Sequence, residues 1–230
     1  MNSNGTKTKS LILNTLQDKI LVKKEVFQSL NTSFEFLKKA VLEITNDYNS
    51  SLKEVSNNQK LECTIEPTHI ELFFGTEVIV FSYQNIVFEI DKSHSIWSHS
   101  YIQDNPLHAF VGIISVHNFL RDSFINNQSE DVGYLIARIF INQENHYFVE
   151  GKRQLGFLYN DFAANLSSID DFIKIVQSAI LYCLDFEMLV PPYEDVSIIT
   201  VEQIKLIINK VKSQSAKRLG FQFYKNDTSI

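Results

Sequence analysis

The sequence has few of the residues that interrupt regular structure. Its 230 residues include only 7 glycines and 4 prolines, whereas phenylalanine occurs 18 times. Few breakers beside many large aromatic side chains predict long regular elements around a substantial core. The scarcity of glycine also argues against the common nucleotide-binding enzymes, because their phosphate-binding loops are built from glycine.

Cysteine is scarcer still, and the familiar catalytic signatures are missing. Cys63 and Cys183 lie far apart and form no CxxC motif. This usage is typical of reduced, buried thiols in a cytoplasmic protein. The sequence contains no GxxxxGK[ST], GxGxxG, HExxH or GxSxG motif. It therefore gives no sign of a phosphate-binding loop, a zinc protease or a serine hydrolase, and we expect no cofactor.

No apolar run is long enough for a membrane. The longest apolar stretch, residues 109–114, has six residues, whereas a helix needs about 20 to cross a bilayer. The opening residues are polar, unlike a signal peptide. These features predict a soluble, cytoplasmic protein with no membrane partner.

Charge is distributed unevenly along the chain. The net charge is −6, yet residues 61–209 carry 20 acidic and only 7 basic residues. Residues 1–60 carry 9 basic and 6 acidic residues, and residues 210–230 carry 5 and 1. Phosphate backbones bind basic surfaces, so nucleic acid is not an expected partner. The basic ends are expected to lie against the acidic body of the same or a neighbouring chain.

Residues 1–58 are predicted to form a helical arm, and residues 61–230 the body on which the arm packs. Apolar residues recur in the arm every seven positions, with a second row three positions later, which places them on one stripe of a helix. These residues are Leu13, Leu16, Ile20, Phe27, Leu30, Phe34, Leu37, Val41, Ile44 and Tyr48. A single helix of about 45 residues would be 65–70 Å long.

The stripe allows more than one arrangement. Heptads of this kind can form an intermolecular coiled coil or helical dimer, but Phe27, Phe34 and Tyr48 are bulky for a tight two-stranded seam. The stripe can instead pack on the chain's own sheet. Thr32-x-x-Glu35 matches a capping box that would start a second helix. One long helix and a helical hairpin are both open.

The body is predicted to be an α+β fold with a largely antiparallel sheet. Alternation and turn residues predict strands at 61–66, 69–74, 77–83, 85–91, 133–141, 146–150 and 154–159. Asn105-Pro106 is a helix-start pattern, and the apolar residues after it predict one buried central helix to about Ile125. Two C-terminal helices are predicted, from Ser168 to about Glu187 and from Thr200 to about Val211.

One candidate active site is acidic. Glu89 and Asp91 share a face of the predicted fourth strand, and Lys92 follows them. Metal-dependent nucleases and hydrolases use converging carboxylates, often with a lysine nearby. The alternative is a solvated strand face, and the acidic body would repel a nucleic-acid substrate.

A second candidate is a metal site. Four of the six histidines lie between His94 and His117, and imidazole with carboxylate ligands suits zinc or iron. His94 and His99 would face opposite sides of a strand. A site that combines either of them with Asp104 and His108 across a loop stays open, against the alternative of unrelated core and surface histidines.

A third candidate is a small-ligand pocket. Arg138, Lys152 and Arg153 could form an anion-binding site, although a single arginine among apolar residues usually pairs with a carboxylate. Aromatic residues between the sheet and the helices could also line an apolar cavity, or simply fill the core.

These observations favour a function in protein–protein interaction over chemistry. The long apolar stripe, the charge asymmetry and the absence of a strong catalytic motif predict an interaction or regulatory protein, with a protein partner or a second copy of itself. The alternatives are a metal-dependent hydrolase or nuclease, which would use Glu89, Asp91 and Lys92 or the His94–His117 region, and a small-ligand binding domain.

Overall fold

The chain is an α+β protein in which a long N-terminal helix lies on an antiparallel sheet. A computed structural model describes residues 3–52, 60–126 and 131–185, with residues 198, 200, 201 and 205. The helices are α1 (Ser3–Ser51), α2 (Ser100–Asp104), α3 (Arg121–Ile125), α4 (Gln154–Phe157) and α5 (Ile169–Leu184). The strands are β1 (Glu62–Ile65), β2 (His69–Phe74), β3 (Glu77–Tyr83), β4 (Phe88–Glu89), β5 (Phe110–Leu120), β6 (Tyr134–Asn142) and β7 (Tyr147–Gly151). Short 3-10 turns occupy Ser95–Ser98 and Pro106–Ala109.

The seven strands of the described residues form one sheet in which every pairing is antiparallel. The order is β1-β2-β3-β5-β6-β7, and β4 pairs with the start of β5. Short turns join β1 to β2, β2 to β3 and β6 to β7, for example at Gly75, whose φ of +53° suits glycine. The predicted α+β class, the antiparallel sheet and the long N-terminal helix are confirmed.

α1 is one continuous helix of 49 residues, about 73 Å long at 1.5 Å per residue. The capping pattern at Thr32 does not start a second helix. The Thr32 hydroxyl instead donates to the Gln28 carbonyl one turn back, at 3.0 Å, as serine and threonine do inside helices. The structure therefore has the single helix and not the hairpin.

The main core lies between one face of the sheet and the two helices α1 and α5. The C-terminal half of α1 supplies Leu30, Phe34, Leu37, Val41 and Ile44, all at most 2% exposed. The helix packs so closely on β5 that a Cβ atom on Gly112 would lie 2.7 Å from Leu30 Cδ2. Glycine at this position allows the helix to approach the sheet.

A second apolar cluster covers part of the opposite face of the sheet. Phe140 and Phe148 stack on neighbouring strands, with ring centroids 4.6 Å apart. The segment of residues 90–109 crosses above them and inserts Ile96 and Ile102, and Phe162 completes the cluster. The sheet is thus buried on one face by helices and on part of the other by this irregular segment.

The predicted central helix of residues 105–125 is wrong, because most of this segment is the strand β5. The Asn105 side chain does accept the Leu107 N–H at 3.1 Å, but it caps only a 3-10 turn. A strand buried on both faces is apolar at nearly every position, as a buried helix is. The β-branched residues of the segment, such as Val111 and Ile113, favour the strand.

Three further predictions in the body have different outcomes. Residues 154–159 do not form a strand, since α4 begins at Gln154 after a turn at Arg153, where φ is +49°. The strand predicted at 85–91 is shorter in the structure, where it consists only of β4. α5 confirms the first C-terminal helix, whereas the second lies almost entirely outside the described residues. Cys63 and Cys183 are both free thiols, and Cys183 is buried.

Replacing Phe34 with alanine should destabilise the protein by about 3–5 kcal/mol, because it removes a fully buried ring from the main core. Leu42→Ala is the matched control. Leu42 lies on the same helix but is 44% exposed, so its loss should change the free energy of unfolding by less than about 1 kcal/mol. Urea unfolding followed by circular dichroism measures both. Equal effects would mean that α1 does not pack on the sheet as described.

Candidate functional site

The N-terminal part of α1 extends beyond the body and exposes apolar side chains. We call residues 7–21 the overhang. The first buried side chain that follows it is Val22, which packs with Val26 against Phe110. The overhang has six large apolar side chains that are 51–67% exposed, namely Leu11, Ile12, Leu13, Leu16, Ile20 and Leu21. A run of exposed apolar residues of this size is typical of an interaction surface.

The geometry of the helix explains why one stripe serves two surfaces. A seven-residue repeat on a straight α-helix rotates by about 20° per heptad, because the helix has 3.6 and not 3.5 residues per turn. Leu13 and Val41 are four heptads apart, so their directions differ by about 80°. When Val41 faces the sheet, Leu13 points sideways, parallel to the sheet surface and not into it.

The nine stripe residues from Leu13 to Ile44, which we predicted as an interface, are therefore divided. Leu30, Phe34, Leu37, Val41 and Ile44 are buried in the chain's own core and are not available to a partner. Phe27 is half-buried. Leu13, Leu16 and Ile20 form an exposed stripe on the overhang. Of the nine residues, only these three are exposed enough for their side chains to contact another molecule extensively.

Lysines flank the exposed stripe at both ends. Lys9 precedes Leu13 by one turn, and Lys23 and Lys24 follow Ile20 by one turn. All three lysines are exposed. Asp18 is the single acidic residue of the overhang. It lies about 160° from Ile20 around the helix, nearly on the opposite face. The apolar stripe thus carries positive charge at both ends and no negative charge.

A polar cluster lies on the opposite face of the sheet, around Glu150. His94 Nε2 is 2.9 Å from Glu150 Oε1, and Arg138 pairs with Oε2 of the same carboxylate. His94 Nδ1 accepts the Ile96 N–H at 3.2 Å, so the proton of a neutral His94 is on Nε2 and is donated to Glu150. Both carboxylate oxygens are occupied within the chain.

A cavity of about 370 Å³ opens beside this cluster. Its lining includes His94, His99, Glu150 and Asn160. Its volume is within the range of small-ligand sites. No three His, Cys, Asp or Glu side chains in the described part of the chain are arranged to hold a metal ion.

A second polar cluster surrounds Tyr101. The Tyr101 hydroxyl donates to Glu144 at 2.7 Å and accepts from Asn142 at 2.8 Å. His108 stacks on the Tyr101 ring at 4.1 Å, and its Nε2 lies 3.2 Å from Glu144. The hydrogen bond from Tyr101 is the largest cause that lowers the pKa of Glu144, and burial raises the pKa of Tyr101. The cluster connects the segment of residues 90–109 to the β6–β7 turn.

The predicted metal ligands are distributed over different places. His94 and His99 do line one cavity, but His108 belongs to the Tyr101 cluster and is buried. Asp104 is exposed at the end of α2. The predicted combination of a histidine pair with Asp104 is therefore not assembled in the described structure.

The acidic candidate site is not assembled as a convergent centre either. Glu89 forms an ion pair with Lys92 at 2.8 Å. Asp91 lies beyond the end of β4, where its carboxylate accepts hydrogen bonds from Ser93, which lower its pKa. Lys92 also lies over the Trp97 ring, 3.4 Å from its centroid.

The cations of the predicted anion pocket are mostly neutralised within the chain. Arg138 pairs with Glu150, as the pairing rule for a single arginine anticipated. Arg153 pairs with Asp185 at 2.9 Å. Arg138 and Lys152 line one depression and Lys152 and Arg153 another, each of about 200 Å³. Small-ligand binding stays a prediction.

Sequence reasoning missed Glu150 and Glu144, although one signal was available. Arg138 and Glu150 are directly opposite in the β6–β7 hairpin, and the turn between the two predicted strands fixes that register to within a residue. The contact of His94 with Glu150 joins residues 56 positions apart and has no local pattern.

Comparison with known proteins gives no relative, since no protein-family model, curated protein or solved structure matches the chain. Among the described residues, no helix combines the length and the apolar character that crossing a membrane requires.

The Tyr101 cluster should make the free energy of unfolding decrease as the pH falls into the acid range. The folded-state pKa of Glu144 lies below its ordinary value of 4.5, so its stabilising contribution is present above that value and is lost as the pH falls. The stability difference between wild type and Glu144→Gln, measured by urea unfolding, should be positive at about pH 7 and shrink by about pH 3.5.

Tyr101→Phe provides the control for this pH effect, because it removes the hydroxyl that donates to Glu144. In that background, Glu144→Gln should show a smaller pH dependence. A difference that stays equal at both pH values would contradict the role given to the Tyr101–Glu144 hydrogen bond.

Proposed function

We propose that the chain is a protein-interaction protein that self-associates through the overhang of α1. The observation that carries the proposal is the exposure of Leu13, Leu16 and Ile20 on a regular helix that continues beyond the body. An isolated helical segment of this length is marginal in water. Burial of its apolar stripe against another molecule would stabilise it.

The energies are consistent with a reversible complex. Complete burial of a leucine or isoleucine contributes about 1.5–3 kcal/mol. Leu13, Leu16 and Ile20 are 51–64% exposed, so burial of the remaining surface can contribute part of that amount for each residue. Association itself costs about 4–15 kcal/mol. A single overhang contact is therefore weak, whereas a symmetric dimer makes the contact twice.

The charge distribution supports a second copy as the partner. The overhang is basic, whereas residues 61–209 carry 20 acidic and 7 basic residues. In a complex of two copies, the basic overhang of one copy can therefore contact the acidic body of the other. The alternative of a metal-dependent hydrolase or nuclease stays a prediction with less support, since its candidate residues are engaged separately with other groups.

The triple variant Leu13→Gln, Leu16→Gln and Ile20→Gln should be monomeric at concentrations where the wild type associates. Glutamine keeps a helix propensity close to that of leucine, so the change removes apolar surface without breaking the helix. Light scattering after size-exclusion chromatography measures the mass over a range of concentrations.

Leu42→Gln is the matched control, because Leu42 is an exposed apolar residue of the same helix outside the overhang. It should associate as the wild type does. A wild-type protein that is monomeric at every concentration, or a triple variant that associates normally, would refute the proposed function.

A further inference from the structure

Residues 91–108 form a closed loop on the sheet face opposite α1. We call them the histidine loop, because they contain three of the six histidines of the chain. The two ends of the loop meet where the Ile90 N–H donates to the Ala109 carbonyl at 3.0 Å. A loop whose ends are joined in this way can open as a local unit while the sheet beside it stays folded.

Apolar contacts attach this loop to the sheet. Ile96 and Ile102 lie in one buried cluster with Phe140, Phe148 and Phe162. The loop also supplies part of the lining of the cavity of about 370 Å³. Opening of the loop would therefore uncover the three phenylalanines and widen this cavity.

Two histidine–carboxylate contacts join the same loop to the β6–β7 hairpin. His94 Nε2 lies 2.9 Å from Glu150 Oε1, and His108 Nε2 lies 3.2 Å from Glu144 Oε1. Histidine is the side chain whose charge ordinarily changes between about pH 5 and pH 8. These two contacts are therefore the places where such a change of pH can act on the loop.

The contact of His94 is complete when this histidine is neutral. Its Nδ1 accepts the Ile96 N–H at 3.2 Å, and its Nε2–H is donated to Glu150. A second proton would have to displace the Ile96 N–H from Nδ1. Arg138 already supplies a positive charge to the same carboxylate. His94 is thus an anchor that does not require protonation.

The contact of His108 is complete only when this histidine is protonated. Its Nδ1 lies 2.9 Å from the Tyr101 carbonyl, which can only accept, so Nδ1 carries a proton in either charge state. In neutral His108 the Nε2 atom accepts from the Asn105 amide at 3.1 Å and has no proton for Glu144. Protonation at Nε2 exchanges this contact within the loop for a contact between the loop and the body.

The titratable groups that face His108 or its partner carboxylate in the described structure are Tyr101, Glu144 and His146. The hydrogen bond from Tyr101 is the largest cause that lowers the pKa of Glu144, and His108 and His146 lower it further, whereas burial raises it. His146 also contacts the Tyr101 ring, with centroids 4.9 Å apart. The carboxylate is therefore ionised throughout the range in which histidine gains a proton, and the partner of His108 is in place.

We propose that the histidine loop is a pH-sensitive cover of the sheet, which closes more firmly when His108 gains a proton and pairs with Glu144. Because the contact with the body needs the protonated form, it is present at the acid end of the histidine range and is lost as the pH rises. The inference is independent of the proposed self-association, since none of these residues lies on the overhang.

Native-state amide hydrogen exchange of the full-length protein measures how often the loop opens. Ile102 and Gln103 are suitable reporters, because their N–H groups both donate to the His99 carbonyl at 3.1 Å. After correction for the intrinsic exchange rate, their protection relative to that of β5 amides should rise about two- to fivefold from pH 8 to pH 5.5. This factor is typical of a partly exposed ion pair.

The single tryptophan of the chain gives a second readout. Trp97 lies on the histidine loop and is half-buried, and its Nε1–H donates to the Ile90 carbonyl at 3.2 Å. Quenching of its fluorescence by acrylamide should decrease over the same change of pH, because a closed loop shields the ring.

Four variants assign the effect to its residues. His108→Gln and Glu144→Gln should each abolish the rise in protection, because each removes one charge of the pair. His99→Gln is the matched control, since it makes the same substitution at an exposed histidine of the same loop, and it should keep the rise. His146→Gln should keep most of it. Circular dichroism melting confirms that each variant is folded.

Several results would overturn the proposal. Protection of the loop that is equal at both pH values, or lower at pH 5.5, would contradict the sign of the effect. A rise that persists in both His108→Gln and Glu144→Gln would show that their contact does not close the loop. Loss of the rise in His146→Gln with its retention in His108→Gln would assign the effect to the wrong histidine.

Discussion

The packing of α1 on the sheet is the interaction on which the rest of the structure depends. Residues 22–44 of this helix cover one face of β5 and β6, and the close approach at Gly112 fixes the distance between helix and sheet. With that face buried, the strands can be apolar on both sides without exposing a large surface. The C-terminal half of the helix is thus part of the main core.

The same helix becomes an interaction surface because its repeat does not match its pitch. A stripe that follows a seven-residue repeat turns gradually around a straight α-helix. Over four heptads the rotation of about 80° turns the stripe from the sheet to the side of the helix. The helix is also longer than the sheet that it covers. Rotation and length together leave the large apolar side chains of the overhang exposed.

The sequence was sufficient for the general architecture, because α1 and most strands have strong local patterns. The period of seven identified the helix, and alternation identified six of the strands. β5 was predicted as a helix because a strand buried on both faces has no alternation, and Asn105-Pro106 supplied a misleading start. The capping pattern at Thr32 was misleading as well, since packing against the sheet favours an unbroken helix.

The candidate sites were harder to predict than the fold. Their contacts join residues that are distant in sequence, such as His94 with Glu150 and Tyr101 with Glu144, and local patterns carry no information about such pairs. The charge asymmetry was visible from composition, but the exposure of the overhang was not. Exposure depends on where the body ends along α1, which is a property of the folded chain.

Amide hydrogen exchange at several protein concentrations tests most directly the claim that one helix is core in one part and interface in the other. The account predicts that amides of residues 22–44 are protected at every concentration, and that amides of residues 7–21 gain protection only where the protein associates. Protection of both segments at the lowest concentration, or of neither segment at the highest, would contradict it.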